Sequence, residues 1–501
     1  MSAISLKGDY FQGKYQTPKK IAETIEKTNP SNTQQMLWRG ECDLDHVEYV
    51  VESAVMGFET WRKTDLAKRC EVLMNYRKIV ESKKNEIAHA ISLETGKPVW
   101  EALTEAAGLA SKVDVTIKDS LERIKDKTIA EIMPMITGHE IKKPLGPCLI
   151  IGPFNFPCHL ANGQIISALL TGNSIIFKPS EKTFYSSQLM FDCLTEAGFP
   201  NGVVNFILGG AKIAGALTSH KNIKGVFFTG SRNVGLKILE NTYKDLNKLV
   251  ALELGGKNAT IVHHDCDTKH AMPELIRACF LTSGQRCTST STIFIHKNIE
   301  QQFVQDFVAI TKRLIVDHPT EFVQEPFMGP IIDEAAVKVY KDYCLQAKKE
   351  GAEALIDFSM LNLKYPGHYV SPTVHYFKQA SSQYETLRAE IFAPNVVFVP
   401  YTDIDEAIAL SNLSDYGLAG AIFTADQSIY HKCLADMQVG ILNLNRSTVG
   451  ASARLPFGGL KHSGNHRPAG VSMIEHCVHS IASLETMQTG SSLAEIKGLR
   501  A

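Results

Sequence analysis

The stretch Cys148–Glu181, CLIIGPFNFPCHLANGQIISALLTGNSIIFKPSE, decides the fold. It opens on four apolar residues, Cys148-Leu149-Ile150-Ile151, and passes through a Gly- and Pro-bounded turn. A helical window then runs from Leu160 to Leu170, and a second apolar run, Ser174-Ile175-Ile176-Phe177, follows. The short runs are continuously apolar instead of alternating, which predicts strands covered on both faces, and a helix between them predicts parallel pairing. The pattern continues outward through Val203–Ile207 and Val226–Phe228, with helical windows Ser186–Ala197 and Ala211–Thr218 between the strands. From about Gly256 it restarts with helix Thr268–Thr282, strand Ser291–Ile295 and helix Gln301–Leu314, which predicts a second α/β domain. Upstream, helices are expected over Asp43–Glu59, Thr64–Thr95 and Pro98–Lys125, and no element is assigned before Asp43.

A chain of 501 residues exceeds what one hydrophobic core supports, in keeping with more than one domain. Lys and Arg number 52 against 53 Asp and Glu, so nucleic acid or an anionic membrane surface is not expected as the main partner. No secretory signal and no apolar run of membrane-spanning length is visible, and a cytoplasmic location is expected. The 11 cysteines form no CxxC pair and read mostly as small buried residues of a reducing compartment. His263, His264, Asp265 and His270 fit no common metal-ligand spacing; a turn feeding a helix start at Asp265 is the preferred reading, with no metal.

Chemistry concentrates at strand ends and turns. Cys287 lies in Thr282-Ser283-Gly284-Gln285-Arg286-Cys287, a loop whose Gly284 and Arg286 offer the exposure and positive surroundings a thiolate nucleophile needs. Glu253, in Leu252-Glu253-Leu254-Gly255-Gly256-Lys257-Asn258, is a charge at the end of an apolar strand: it has a task, or it pairs with Lys257 or the glycine-turn amides. Asn155 presents an amide from the rigid turn Gly152–Pro157, suited to an oxyanion hole or to a helix cap. Lys178 and Glu181 follow a strand's C-terminal end, where open α/β sheets bind ligands; they suit ribose hydroxyls or form an ordinary polar loop. Phe228–Gly235 runs strand, turn, helix, and its Gly230, Ser231 and Gly235 form a turn that suits a pyrophosphate, or a plain glycine turn.

Taken in order, GPFNFP (152–157), FKPSE (177–181), FTGSRNVG (228–235), LELGGKN (252–258), GQRC (284–287), EIFAP (390–394) and LPFGG (455–459) resemble the aldehyde dehydrogenase superfamily, as does Thr95-Gly96-Lys97-Pro98. The resemblance implies two doubly wound α/β domains, one Rossmann-like for the cofactor and one catalytic, plus a small oligomerisation hairpin and strand. The expected boundaries are 1–124 with 143–254 for cofactor, 255–445 for catalysis, and 125–142 with 478–490 for assembly into a homodimer or tetramer. It also implies Cys287 as nucleophile, Asn155 with the Cys287 amide as oxyanion hole, and Glu253 as general base. Lys178, Glu181, Gly230, Ser231, Gly235, Glu390 and Phe392 fall where the family holds NAD. Glu181 disfavours a 2′-phosphate, so NAD is preferred over NADP. Ala393 departs from the family's usual glycine.

Within the family, Glu94–Ala102, Gly163 and Ser463-Gly464-Asn465-His466-Arg467-Pro468 resemble the subgroup acting on succinylglutamate semialdehyde. An anionic aldehyde substrate is then expected, held by Arg446 or Arg454 in the loop before Phe457, with Phe457 beside it. Arg446-Ser447 departs from the subgroup's Lys-Pro step. Another small semialdehyde, and a thiol hydrolase lacking any redox step, are the alternatives.

Overall fold

The computed structural model describes residues 3–486 and 497–499. Two seven-stranded sheets dominate it. In the first the strand order is Leu249–Glu253, Gly225–Thr229, Cys148–Ile151, Ile175–Lys178, Val204–Phe206, Asp9–Phe11, Lys14–Gln16. The first five are parallel and the two N-terminal strands close the edge antiparallel. Cys148–Ile151 and Ile175–Lys178 are buried along their whole length, as continuous apolar runs require. The helix between them, His159–Leu170, is buried on nearly every side, because other helices cover the face it turns away from the sheet. Removing one of its core side chains, as in Ile166→Ala, leaves a cavity costing about 2–5 kcal/mol.

The chain builds this sheet outward from Cys148–Ile151 and then returns to lay Gly225–Thr229 on that strand's other side. Such a reversal opens a crevice at the C-terminal strand ends. The second sheet runs Glu353–Ile356, Thr373–Tyr376, Asn395–Tyr401, Thr290–His296, Asn258–Val262, Ala419–Phe423, Ile441–Leu444, parallel except for its first strand. Glu253 ends a strand of the first sheet and Asn258 begins one of the second. The C-terminal edge of one sheet is thereby joined directly to the N-terminal edge of the other.

A third, antiparallel sheet joins Lys127–Met133, Ile136–Pro144 and Val478–Thr486. Ile129, Ile132, Met133 and Leu484 are exposed on it. Residues 487–490 of the expected assembly strand lie outside the described residues. No helix among the described residues is long and apolar enough to cross a membrane.

Three differences from the sequence reading have physical causes. Glu23–Asn29 and Asn32–Cys42 form a hairpin, hidden because its first strand, ETIEKTN, has no apolar run. The expected helix Thr64–Thr95 is two, Leu66–Ser82 and Lys84–Thr95, broken at Lys83 with no Gly or Pro to announce it. The expected helix start at Asp265 moves to Asp267, whose carboxylate accepts from Lys269 N and His270 N; Asp265 instead accepts from Thr424 Oγ1 and Ala425 N.

Candidate active site

The turn Gly152–Pro157 leaves the strand beside the crevice and carries Asn155, which is 5% exposed. Its Nδ2 donates to Gln285 O at 2.9 Å, so the amide reaches the cysteine loop and does not cap the following helix. Its backbone carbonyl accepts from Lys97 Nζ at 2.9 Å. Lys97 pairs with Glu105 at 2.7 Å, both side chains fully buried, and its ammonium lies 3.7 Å from the Phe156 ring centroid. Glu105 also accepts from Cys158 N and His159 N, placing a carboxylate at a helix N-terminus. The Lys97 of Thr95-Gly96-Lys97-Pro98 is therefore the post on which the Asn155 turn is fixed.

The Cys287 loop is held against its own conformational preference. Thr282 and Ser283 have φ of 55° and 51°, a left-handed backbone that costs non-glycine residues on the order of 1–3 kcal/mol each. Glu101 supplies the restraint by accepting from Thr282 N, Thr282 Oγ1 and Arg286, while Ser283 Oγ donates to Gly329 O at 2.8 Å. Burial pushes the Glu101 carboxyl up, but Arg286 and Lys97 outweigh it and hold the group below the usual carboxylate range. Asn258 Nδ2 donates to Cys287 O at 2.7 Å and Ser289 O at 2.8 Å, and its Oδ1 accepts from Ala419 N. A Cβ on Gly256 would sit 2.3 Å from Cys287 O, so only glycine lets the two sheet edges approach this closely.

Cys287 itself is partly buried, and all 11 cysteines are free, most of them buried. Burial pushes its thiol up to about 12, with Glu253 and Glu390 adding to the rise. This corrects the expectation of an electropositive loop. Arg286 offsets only a little because its guanidinium is committed to Glu101. The Cys287 backbone N–H points at its own thiol.

Glu253 is 4% exposed, and its Oε1 has no hydrogen-bond partner among the described residues. Burial drives the carboxyl well above its ordinary value. The pairing considered from sequence does not form: Lys257 Nζ donates to Tyr343 Oη at 3.0 Å, and the Gly256 amide donates to Glu390 at 2.9 Å. Ser463–Pro468 clamps this strand end. Leu254 N donates to Ser463 O, Leu252 N to Asn465 Oδ1, and Asn465 Nδ2 to Val250 O. A Cβ on Gly458 would lie 2.6 Å from Glu253 Oε1.

Around the crevice, Lys178 is buried and donates to Pro179 O and Gly209 O, with Glu181 exposed beside it. Two features of the Gly230–Gly235 turn differ from a set of free donors. Gly230 N is spent on Glu253 O at 3.0 Å, and Ser231 Oγ accepts from Val234 N as the helix cap. Gly235 packs against Leu254, where a Cβ would be 2.9 Å from a methyl. What remains is the solvent-facing start of helix Arg232–Thr242, still suited to an anion. Glu390, pushed up to about 7 by burial, and Phe392, edge-on to Phe154 at 5.8 Å, enter from the second sheet's loop.

Cys287 opens on a cavity of about 220 Å³ that Phe156, Gln164, Phe457 and Gly470 also line. Arg446 and Arg454 do not line it: Arg446 is exposed, and Arg454 points outward to Asp119 at 3.1 Å. Gly450–Ala453 of the same loop line the cavity, and the two arginines on either side of them do not. Lys97, Glu101, Glu105 and Asn258 were not singled out as site residues from sequence, since only their burial against the reactive loop marks them.

A partly buried thiol and a buried acid whose Oε1 has no partner among the described residues stand where two α/β sheets are joined, at the crevice. The chain belongs to the aldehyde dehydrogenase family, whose profile matches residues 15–481. It is 33% identical over 457 residues to the N-succinylglutamate 5-semialdehyde dehydrogenase of Novosphingobium aromaticivorans, covering 91% of this chain and 95% of that one. The protein of the same name from Legionella pneumophila strain Corby is 33% identical over 506 residues, covering 100% and 99%. Among solved structures, an NAD-dependent aldehyde dehydrogenase from Sinorhizobium meliloti superposes with a TM-score of 0.92 at 25% identity, covering 97% of this chain and 96% of that one. Betaine aldehyde dehydrogenase from Staphylococcus aureus, solved in complex with NAD+, gives 0.90 at 26% identity, covering 98% and 99%.

Proposed function

We propose that this enzyme oxidises N-succinylglutamate 5-semialdehyde to N-succinylglutamate through a thioester on Cys287, with NAD as oxidant. The observation that carries the chemistry is the buried Glu253 carboxyl with its unpartnered oxygen beside the Cys287 thiol. The names of the relatives supply the substrate. Cys287 Sγ adds to the aldehyde carbon as its proton passes to solvent. The second N–H of Asn155 Nδ2 and the Cys287 backbone N–H receive the charge developing on the carbonyl oxygen. NAD, when bound, supplies the acceptor for the hydride that the carbon then loses. Glu253 takes a proton from water as it attacks the thioester, releasing the acid and restoring the thiol; its raised affinity for protons makes it a stronger base than an exposed carboxylate.

The start of helix Arg232–Thr242 suits the pyrophosphate, and Lys178 with Glu181 suits the ribose hydroxyls. Glu390 and Phe392 are assigned to the nicotinamide end. The exposed Glu181 carboxylate would repel a 2′-phosphate, which favours NAD over NADP. In the same reading, 1–124 with 143–254 carries the cofactor, 255–445 the catalytic residues, and the third sheet pairs subunits into a cytoplasmic homodimer or tetramer. Absorbance of NADH with a panel of aldehydes tests the assignment. A preference for simple aliphatic aldehydes over N-succinylglutamate semialdehyde would refute the substrate, and ester hydrolysis without NADH would refute the redox step.

A further inference from the structure

Six lysines are buried among the described residues: Lys27, Lys97, Lys112, Lys178, Lys248 and Lys257. A buried ammonium is costly unless an opposite charge answers it. Five have that answer. Lys97 pairs with Glu105 and Lys248 with Asp245, while Lys27 feels Glu94 and Asp333, Lys178 feels Glu181 and Glu23, and Lys257 feels Glu390 and Glu350. Lys112 differs. It is 5% exposed, its Nζ donates to Gly470 O at 2.8 Å, and no carboxylate among the described residues pairs with it. Burial alone pushes it down to about 8.

Its position supplies the reason. Lys112 lies in the last turn of helix Val99–Val115 and lines the same cavity as Cys287. The helix end and the Gly470 carbonyl offer partial negative charge, not a full counter-ion. The other ionisable groups of the cavity do not supply one: Arg286 is neutralised by Glu101, and burial pushes His159 towards its neutral form. Gln164, which also lines the cavity, has a buried Oε1 without a partner among the described residues, while its Nε2 donates to Thr229 Oγ1 at 3.4 Å. Gly163 makes room for the lysine, since a Cβ there would stand 3.2 Å from Lys112 Cε.

We propose that Lys112 is the specificity-determining cation of this enzyme, receiving a substrate carboxylate within the cavity that Cys287 also lines. It takes the part expected of Arg446 or Arg454, neither of which lines the cavity. The inference rests on the reading of the protein as an oxidising aldehyde dehydrogenase for an anionic substrate, and adds to it the residue that reads the charge. A three-donor ammonium with one fixed acceptor keeps two donors for a carboxylate.

The test compares succinic semialdehyde with butanal, of equal chain length, in the wild type, Lys112→Gln and Lys112→Arg. The wild type is expected to favour the anionic aldehyde in kcat/KM. In K112Q that preference falls at least tenfold, mainly through KM, and K112R recovers part of it. Calorimetric titration with N-succinylglutamate reads binding apart from turnover, and K112Q weakens it at least tenfold while circular dichroism shows an intact fold. An unchanged preference in K112Q, or equal losses on both aldehydes, overturns the role of Lys112. A wild type that ignores N-succinylglutamate semialdehyde yet prefers succinic semialdehyde, with the preference lost in K112Q, overturns the proposed substrate and supports Lys112. If K112Q misfolds, K112R decides: a fully wild-type fold with no preference for the anion overturns the proposal, and a retained preference supports it.

Discussion

Glu101→Gln is the sharpest test of how the reactive loop is held. Glu101 has a 1% exposed side chain and accepts from Thr282 N, Thr282 Oγ1 and Arg286. The substitution is nearly isosteric, yet it leaves Arg286, whose side chain is 15% exposed, without its counter-charge. Breaking one partner of a buried pair costs about 3–5 kcal/mol. In a folding unit of roughly 200 residues that is a fall in melting temperature on the order of 10 °C. Released from Glu101, the left-handed backbone at Thr282 and Ser283 relaxes by on the order of 1–3 kcal/mol per residue and carries Cys287 away from Asn155. Differential scanning calorimetry reads the first effect, and single-turnover NADH formation the second, with a loss of at least about tenfold. The double variant Glu101→Gln/Arg286→Met removes both charges and recovers most of the melting temperature while activity stays low. The reasoning is refuted if E101Q melts within about 2 °C of the wild type with undiminished single-turnover activity. The sign of its pH dependence is also fixed. The folded-state value of Glu101 lies below the ordinary one, so the pair's stability is fully present above the unfolded carboxylate range. It is lost as pH falls through the lower folded value, and E101Q lacks that acid-sensitive part.

Four further outcomes follow from the site. Alkylation of Cys287 by iodoacetamide in the cofactor-free enzyme should accelerate about tenfold per pH unit from pH 7 to 10, because its thiol is pushed up to about 12; a plateau below pH 9 contradicts this. Glu253→Gln should cut steady-state turnover by about 10²–10⁴ while a first equivalent of NADH still forms. The same variant should melt above the wild type at pH 8 and not at pH 4, since a carboxyl whose folded value is raised costs stability only above its ordinary range; equal melting at both pH values counts against the buried, unpartnered state. Asn258→Ala leaves Cys287 O, Ser289 O and Ala419 N without their partner, costing about 3 kcal/mol or more; a melting curve like the wild type's would show the three bonds to be dispensable.

The parallel sheets were legible because Cys148–Ile151 and Ile175–Lys178 are buried on both faces and so carry unbroken apolar runs. Glu253 and Asn155 stood out because a charge and an amide follow such runs, whereas Cys287, one thiol among 11, stood out only through the order of motifs that resembles the family. What the sequence does not display is direction. Arg446 and Arg454 sit in the loop that reaches the cavity, but backbone geometry sends their side chains outward. Lys112 is one charge in a mostly apolar helix and reads as its solvent-facing end, and only the packing of Gly163 and Gly470 around it shows that it is inside. Glu23–Asn29 hides for a related reason, since a strand with mostly exposed side chains needs no apolar pattern.

The same distinction explains the supporting acids. Glu101 and Glu105 lie one helical turn apart on helix Val99–Val115 and read from sequence as surface charge. In the fold each is driven inside by a partner from a distant segment: Arg286 and Thr282 for one, Lys97 and the start of helix His159–Leu170 for the other. One helix thus ties down both loops, the cysteine loop through Glu101 and the asparagine turn through Glu105 and its partner Lys97. Asn155 Nδ2 then bonds Gln285 O across the gap between them. The bond spans two loops that are each tied to this helix, which restrains the amide relative to the cysteine loop. Preorganisation of this kind makes a hydrogen-bond donor effective towards a developing charge, because little reorganisation is left for the moment of reaction. It also leaves Glu253, with its free oxygen, as the acid of the site that is not spent on structure.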